Sequence, residues 1–599
     1  MNDSVDNLLA VAAQCLQQGD LTTAQKAVST ALAAHPTHPM ALHTQGIVLS
    51  LKRDIDGAIS FFKQAIEQDD SHAIFFANLS ALLTEKRLHA EARAAATRAV
   101  ELDCNNVKNL IQLGYTLINS NDFVGAHDLY ERAFSVDPES LHALTEGLNC
   151  ARRLGDFAAT ARWQRRIADL FTKKEPNSEQ RWSTLELMNL AYTDVLEELP
   201  NNIFQRCIAA IDARLAHTAP APYDEAEDKP NQKLRIGYLS GKLGDHPIGH
   251  VTQALFEAHD RSRFEVHAFS LTDRRDEVSG HMEAIRAGCD YFHDTSAMAP
   301  AAVAAFIRQT KIDILIFLDG LMMSVGVEIL AHRPARLQVF WLGHAGILNF
   351  SFIDATVIDP VVLSEQPAHS SAVIALPVCY HCASPQRMIH CEDAVLKKVL
   401  LQRGNPFVFC AFNNPEKINA RTFDAWMEIL RETPNSLIWL SNQFNSDALE
   451  RNLREEAAQR GVDPTRLVFA TRVANKAMHL GRHHHAGLLL DAFDLNASTT
   501  ALDALWAGVP LLTLTGNRFS SRIATTFLNH LGLSDLLCSS SAEFISKAVR
   551  LANNPSELSQ IRSRLASAVW DSDLFKPAAF TRAFETELVA ALMNVRFKR

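Results

Sequence analysis

The feature that most restricts this chain is a 34-residue period running through its first 140 residues. Ala24, Ala58, Ala92 and Ala126 stand 34 residues apart, and Ala31, Ala65, Ala99 and Ala133 keep the same step. Pro36 and Pro138 mark the end of a repeat, with Asp70 and Cys104 at the same phase between them. Small side chains at two fixed places let paired helices approach closely, and the repeat-end position breaks the second helix. One such unit cannot bury an apolar face alone, so the pattern predicts helix pairs stacked into an α-solenoid.

The period is that of tetratricopeptide (TPR) repeats. Four repeats and a degenerate capping unit at 144–171 give a TPR region of residues 1–176. Stacked repeats expose a concave face, which suits a protein partner or substrate; the bland alternative is a purely structural arm. Residues 177–232 read as a helical connector, LELMNLAYTDVLEEL and then Ile203–Ala216, followed by a linker in the Pro-rich, acidic run TAPAPYDEAEDKPNQK.

Beyond the linker the period changes. Residues 233–395 carry strands at Leu234–Ser240, Phe264–Leu271, Ile312–Leu318 and Leu337–Leu342, with helices at Gly249–His259 and Ala301–Gln309 between them. The alternation starts afresh in residues 396–599. It runs through strand Phe407–Phe412, helix Ala420–Thr433, strand Ser436–Leu440, helix Asp447–Arg460 and strands Arg466–Ala470, Leu488–Leu490 and Leu511–Leu514. Strands alternating with helices predict doubly wound, mostly parallel sheets. Two in tandem place a cleft between the carboxyl ends of the strands, where ligands bind in such folds. Closing helices at Ser556–Val569 and Pro577–Phe597 are expected to complete the second domain and to cross back to the first.

The richest chemistry lies in Leu488–Pro510, LLLDAFDLNASTTALDALWAGVP. A buried strand feeds a helix that starts at Ser498-Thr499-Thr500 and stops at Gly508-Val509-Pro510. Free N–H groups and the positive dipole end at such a start suit a diphosphate, although an ordinary N-capped helix reads the same way. Asp503, one turn after Thr499, could take a ribose diol. Asn414 and Lys417 follow the first strand of the second domain, where a lysine can neutralise a leaving diphosphate without a metal. Lys476 and His479 share one face of a starting helix, so an imidazole could stack on a nucleobase while the lysine reaches base or ribose. His246, in Gly244-Asp245-His246-Pro247 after the first strand of the first domain, is a candidate for acid–base work.

Taken together, Asp245-His246-Pro247, Arg333-Pro334-Ala335, Gln338–Gly343 (QVFWLG), Cys410–Asn414 (CAFNN) with Lys417-Ile418, and Thr499-Thr500 with Asp503–Gly508 (DALWAG) resemble the O-linked N-acetylglucosamine transferase family. The resemblance covers essentially the whole chain, with the motifs in the family's order. It implies TPR repeats joined to a GT-B-type pair of Rossmann-like domains and an inverting, metal-independent sugar transfer to protein Ser or Thr. It puts Lys417, Asn414, Thr499 and Thr500 at the diphosphate, Asp503 at the ribose, Lys476 at the nucleoside, His479 on uracil, and His246 at catalysis or the acceptor. The implied co-substrate is UDP-GlcNAc, with no cofactor and no metal. The implied partner is a protein acceptor in the TPR groove, a flagellin or other surface subunit being the family-context expectation, and paired TPR arms would make a homo-oligomer.

Two departures bear on this. The family commonly has His before the paired threonines, where this chain has Ser498, a hydrogen-bonding group that carries no charge. After Gly343 the chain runs His344-Ala345-Gly346-Ile347-Leu348-Asn349 instead of the family's usual Tyr-Pro-Gly-Thr sequence. GDP-fucose or UDP-glucose as donor, or an inactive TPR scaffold, are therefore the alternatives.

Composition narrows the setting. A net charge of −10 argues against a nucleic-acid binder. The acidic start MNDSVDNLLA lacks a signal-peptide pattern, no apolar run reaches bilayer length, and ten unevenly spaced cysteines fit free thiols, so a cytoplasmic setting is expected. Cys379, His381, Cys382, His390 and Cys391 imitate a zinc cluster, but Leu376–Tyr380 matches a family segment that binds no metal. His483–His485 point about 100° apart on a helix and cannot converge on an ion.

Overall fold

The computed structural model describes residues 2–173, 183–191, 203–216, 233–272, 280–343, 345–363, 372–385, 388, 389, 391, 393–473 and 475–596. The linker at 217–232, part of the connector (174–182 and 192–202), His344 and His390 lie outside these residues. The chain divides into two compact units: residues 1–151 with 297–299, and 152–296 with 300–599.

In the first unit, helices pair as Asn2–Gln18 with Leu21–Ala34, Pro39–Leu51 with Ile55–Gln68, Ala73–Glu85 with His89–Leu102, and Val107–Asn119 with Phe123–Val136. Both alanine series fall on the second helix of each pair, and all eight side chains are at most 1% exposed. The turn inside each pair repeats as strictly as the alanines. Gly19, Arg53, Arg87 and Asn121 adopt φ of 78°, 66°, 57° and 62°; in the second unit Gly155 repeats this at 63°, just before helix Phe157–Lys173. A left-handed residue reverses the chain and starts the next helix, whose first turn is capped by Asp20, Asp54 and Asp122 accepting from the N–H of Thr23, Gly57 and Gly125 at 3.0 Å.

The second unit holds the two sheets. The first is seven-stranded and wholly parallel, in the order β3-β2-β1-β4-β5-β6-β7, formed by β1 Leu234–Ser240, β2 Phe264–Ser270, β3 Tyr291–Asp294, β4 Ile314–Phe317, β5 Leu337–Phe340, β6 Ala355–Ile358 and β7 Ala372–Ala375. The second is six-stranded and also parallel, β10-β9-β8-β11-β12-β13, from β8 Phe407–Ala411, β9 Ser436–Ser441, β10 Leu467–Ala470, β11 Leu488–Leu490, β12 Leu511–Leu514 and β13 Leu537–Cys538. Helices cover both faces, which is why the central strands read as unbroken apolar runs. Each sheet reverses its strand order once, between β1 and β4 and between β8 and β11, and these are the places where a doubly wound fold opens a crevice. At the first, Asp319 accepts from the Ser240 hydroxyl (2.5 Å) and the Gly241 N–H (2.6 Å), tying the ends of β1 and β4 together.

One continuous apolar core runs through both sheet domains. The last helix, Pro577–Arg596, packs on the first domain, as expected from sequence. Its Phe580 and Phe584 rings lie 5.4 and 4.9 Å from Trp341. Its Glu585 accepts from buried His259 (2.8 Å) and from the Asp260 N–H (2.9 Å), while the other His259 nitrogen meets the Tyr238 hydroxyl at 2.7 Å.

Candidate active site

The loop that follows β11 is shaped from inside by Asp491. Its carboxylate is fully buried and accepts from the N–H of Ala497 (2.7 Å) and Ala492 (2.8 Å) and from the Thr513 hydroxyl (2.8 Å). Burial outweighs these donors and raises its pKa to about 6. The loop so wound presents the Asn496 carbonyl, to which Lys417 Nζ donates at 2.9 Å. Lys417 comes from the turn after β8, and burial lowers its pKa against the pull of Asp491.

The loop delivers the chain to helix Thr499–Trp506. Ser498 holds the capping position but makes no side-chain cap. Its hydroxyl instead meets His381 Nε2 at 3.1 Å, and among the described residues no side chain caps the N–H groups of this first turn. His381 is buried, burial lowers its pKa to about 3, and its Nδ1 has no hydrogen-bond partner among the described residues.

Beside this helix start lies a pocket lined by His250, Val251, Lys476, Thr499, Asp503 and Trp506, among others. Helix Lys476–Arg482, started by Asn475 accepting from the Met478 N–H, turns Lys476 and His479 toward Asp503. Lys476 forms an ion pair with Asp503, and His479 Nε2 lies 3.5 Å from the same carboxylate. Burial alone would raise Asp503, but the Lys476 ammonium and the His479 hydrogen bond overcome it and hold the carboxyl at about 2. The pocket therefore offers a cation, a permanently ionised acceptor and a helix N-terminus within one small volume.

The residues singled out from sequence do not all converge on this pocket. Lys476, Thr499 and Asp503 line it, His479 backs Asp503, and Lys417 and Ser498 sit on the adjoining loop. Thr500 follows in the first helical turn, and Asn414 lies exposed, accepting from Gln443 Nε2. His246 starts helix Pro247–Ala258, its Nδ1 accepting from the Ile248 N–H at 3.3 Å, and burial lowers it to about 3. The imidazole lining the pocket from the first domain is His250, which sequence reasoning passed over although it lies one turn from His246. Asn413 was also missed: it is 2% exposed, and neither side-chain amide atom has a partner among the described residues. A buried amide left so costs about 1–3 kcal/mol unless water or a ligand completes it.

Comparison with known proteins follows the same outline. The model of glycosyl transferase family 41 matches residues 199–403 and 401–584, and a tetratricopeptide repeat model matches residues 16–73. A probable UDP-N-acetylglucosamine–peptide N-acetylglucosaminyltransferase, SEC, of Arabidopsis thaliana is 33% identical over 61% of this chain and 38% of its own length. A UDP-N-acetylglucosamine–peptide N-acetylglucosaminyltransferase of Caenorhabditis elegans is 27% identical over 57% of this chain and 39% of its own. The SPINDLY protein of Petunia hybrida, with the same probable activity in its name, is 26% identical over 61% and 39%. The matched region thus spans under two-fifths of the length of these relatives. Among solved structures, a mutant O-GlcNAc transferase of Thermobaculum terrenum aligns over 99% of this chain and 98% of its own with a TM-score of 0.57 at 22% identity, a likeness of fold.

Proposed function

Because the chain belongs to glycosyl transferase family 41, whose model matches residues 199–403 and 401–584, we propose that it transfers a sugar, N-acetylglucosamine from UDP-N-acetylglucosamine, to Ser or Thr of a protein acceptor. The observation that carries this reading is the grouping of Lys476, Asp503 and the uncapped Thr499 helix start beside Lys417, at the carboxyl ends of β8, β10 and β11. In it, Thr499, Thr500 and Lys417 hold the diphosphate, with Asn414 and Ser498 at its edge. Asp503 accepts from the ribose diol, Lys476 contacts the nucleoside, and His479 stacks on uracil.

The acceptor hydroxyl attacks the anomeric carbon in line, its bond to the diphosphate oxygen breaks, and UDP leaves with inversion. Lys417 and the helix dipole stabilise the negative charge that develops on the leaving oxygen, so the step needs no metal to supply that charge. His246, held neutral by burial, is the imidazole on the acceptor side that can take the hydroxyl proton. The TPR arm holds the acceptor, and a reducing cytoplasmic setting fits the described cysteines, which are free thiols. No described helix is long and apolar enough to cross a membrane.

Calorimetry with UDP, GDP and CMP tests the reading. UDP should bind best, and Asp503→Asn should weaken it by roughly ten- to a hundredfold, about 1.4–2.7 kcal/mol. A preference for GDP would transfer the site to a guanosine donor such as GDP-fucose. Failure to bind any nucleotide would remove the transferase reading.

A further inference from the structure

Asp245, His250 and His281 bring three ligand atoms within 4.8 Å of one another at the edge of the pocket, on the first domain's side. We propose that these three residues form a binding site for a divalent late transition metal of the Zn2+ type. The inference stands apart from the donor reading, since none of the nucleotide-contacting residues takes part.

The donor set fixes the class of ion. Two imidazoles and one carboxylate suit Zn2+, Co2+ or Ni2+, whereas Mg2+ and Ca2+ take oxygen ligands. Three protein ligands also leave one tetrahedral position open for water or another small donor.

The local geometry is arranged for ligation. Asp245 lies in the loop after β1, His250 in the first turn of helix Pro247–Ala258, and His281 at the start of helix Gly280–Gly288. The two imidazole centroids are 4.1 Å apart. His281 Nδ1 meets the Gln253 side-chain oxygen at 2.7 Å, so that nitrogen carries the proton and the Nε2 lone pair is left for an ion. An imidazole that ligates a metal commonly donates its other N–H to an oxygen in this way. His250 Nε2 meets Asp245 Oδ1 at 2.8 Å. A metal entering between them takes the His250 Nε2 lone pair once the ring proton has moved to Nδ1, and keeps both ligands. Asp245 is 62% exposed at its side chain, giving an entry path from solvent. Lys476 and Arg472 oppose a dication here, and Asp245 and Asp503 offset them.

The other cluster of this kind, Asp359, Cys379 and His530, is differently committed. Both Asp359 oxygens already accept hydrogen bonds, from the N–H groups of Val361 and Tyr380 and from the Thr526 hydroxyl.

The test uses the full chain, stripped with a chelator and then titrated with Co2+, whose visible absorption reports its coordination, with Zn2+ as competitor. One equivalent of Co2+ should bind with a tetrahedral spectrum and be displaced by Zn2+. His281→Gln and Asp245→Asn should each raise the Zn2+ dissociation constant roughly tenfold or more, with unchanged melting temperatures in the metal-free state. Absence of saturable binding, or binding that persists unaltered in either folded variant, overturns the proposal.

Discussion

Asp491 and Asp503 flank the same helix start, both are buried, and their pKa values move in opposite directions. The difference lies in what faces them. Asp503 has an ammonium and an imidazole against it, whereas Asp491 is met mainly by neutral N–H and O–H donors with Lys417 beyond. A carboxyl whose folded value is about 6 against an ordinary 3.8 binds its proton more tightly in the fold, so its contribution to stability falls as pH rises through that window. Asp491→Asn removes this loss, and its stability relative to the parent should rise by about 3 kcal/mol between pH 4 and pH 7. Urea denaturation of both proteins at the two pH values measures it. At this scale the sequence was partly legible. Lys417, Lys476, Thr499 and Asp503 stand in short local strings after predicted strands, and the structure places them after β8, β10 and β11. His381 could not be paired with Ser498 by reading, because their contact spans 117 positions of chain and depends on both domains.

At the scale of elements, repetition made the helix pairs legible, since a feature stated four times averages out local ambiguity. The left-handed turn residue obeys the same period but hides from reading, because Arg53, Arg87 and Asn121 lack the glycine that usually marks it. Gly155 does carry the glycine, and a methyl there would come within 2.9 Å of Leu453 and 3.0 Å of Leu449 on helix Asp447–Gln459. Gly155→Ala should therefore destabilise the protein by about 1–2 kcal/mol through the φ penalty and this crowding. A lower urea midpoint at unchanged m-value reports it. Strands β3, β6, β7 and β13 were not legible. β13 is two residues long and β3 is partly exposed, so neither length nor an apolar run distinguishes those two from loops.

At the scale of the molecule, the helix Pro577–Arg596 unites the ends of the second unit by filling the face of the first sheet. Glu585→Ala leaves the His259 ring nitrogen buried without its acceptor, and should cost about 1–3 kcal/mol in chemical denaturation. Glu585→Gln, which keeps an acceptor, should recover much of the loss. The arrangement also sets an order of events during synthesis. Trp341 leaves the ribosome roughly 240 residues before the phenylalanines that cover it, an interval on the order of 10–50 s at ordinary translation rates. Through that interval the first sheet has its strands but lacks one wall, and its sticky face must be kept from other nascent chains. The first sheet is thus sealed late, long after the strands it covers have been made.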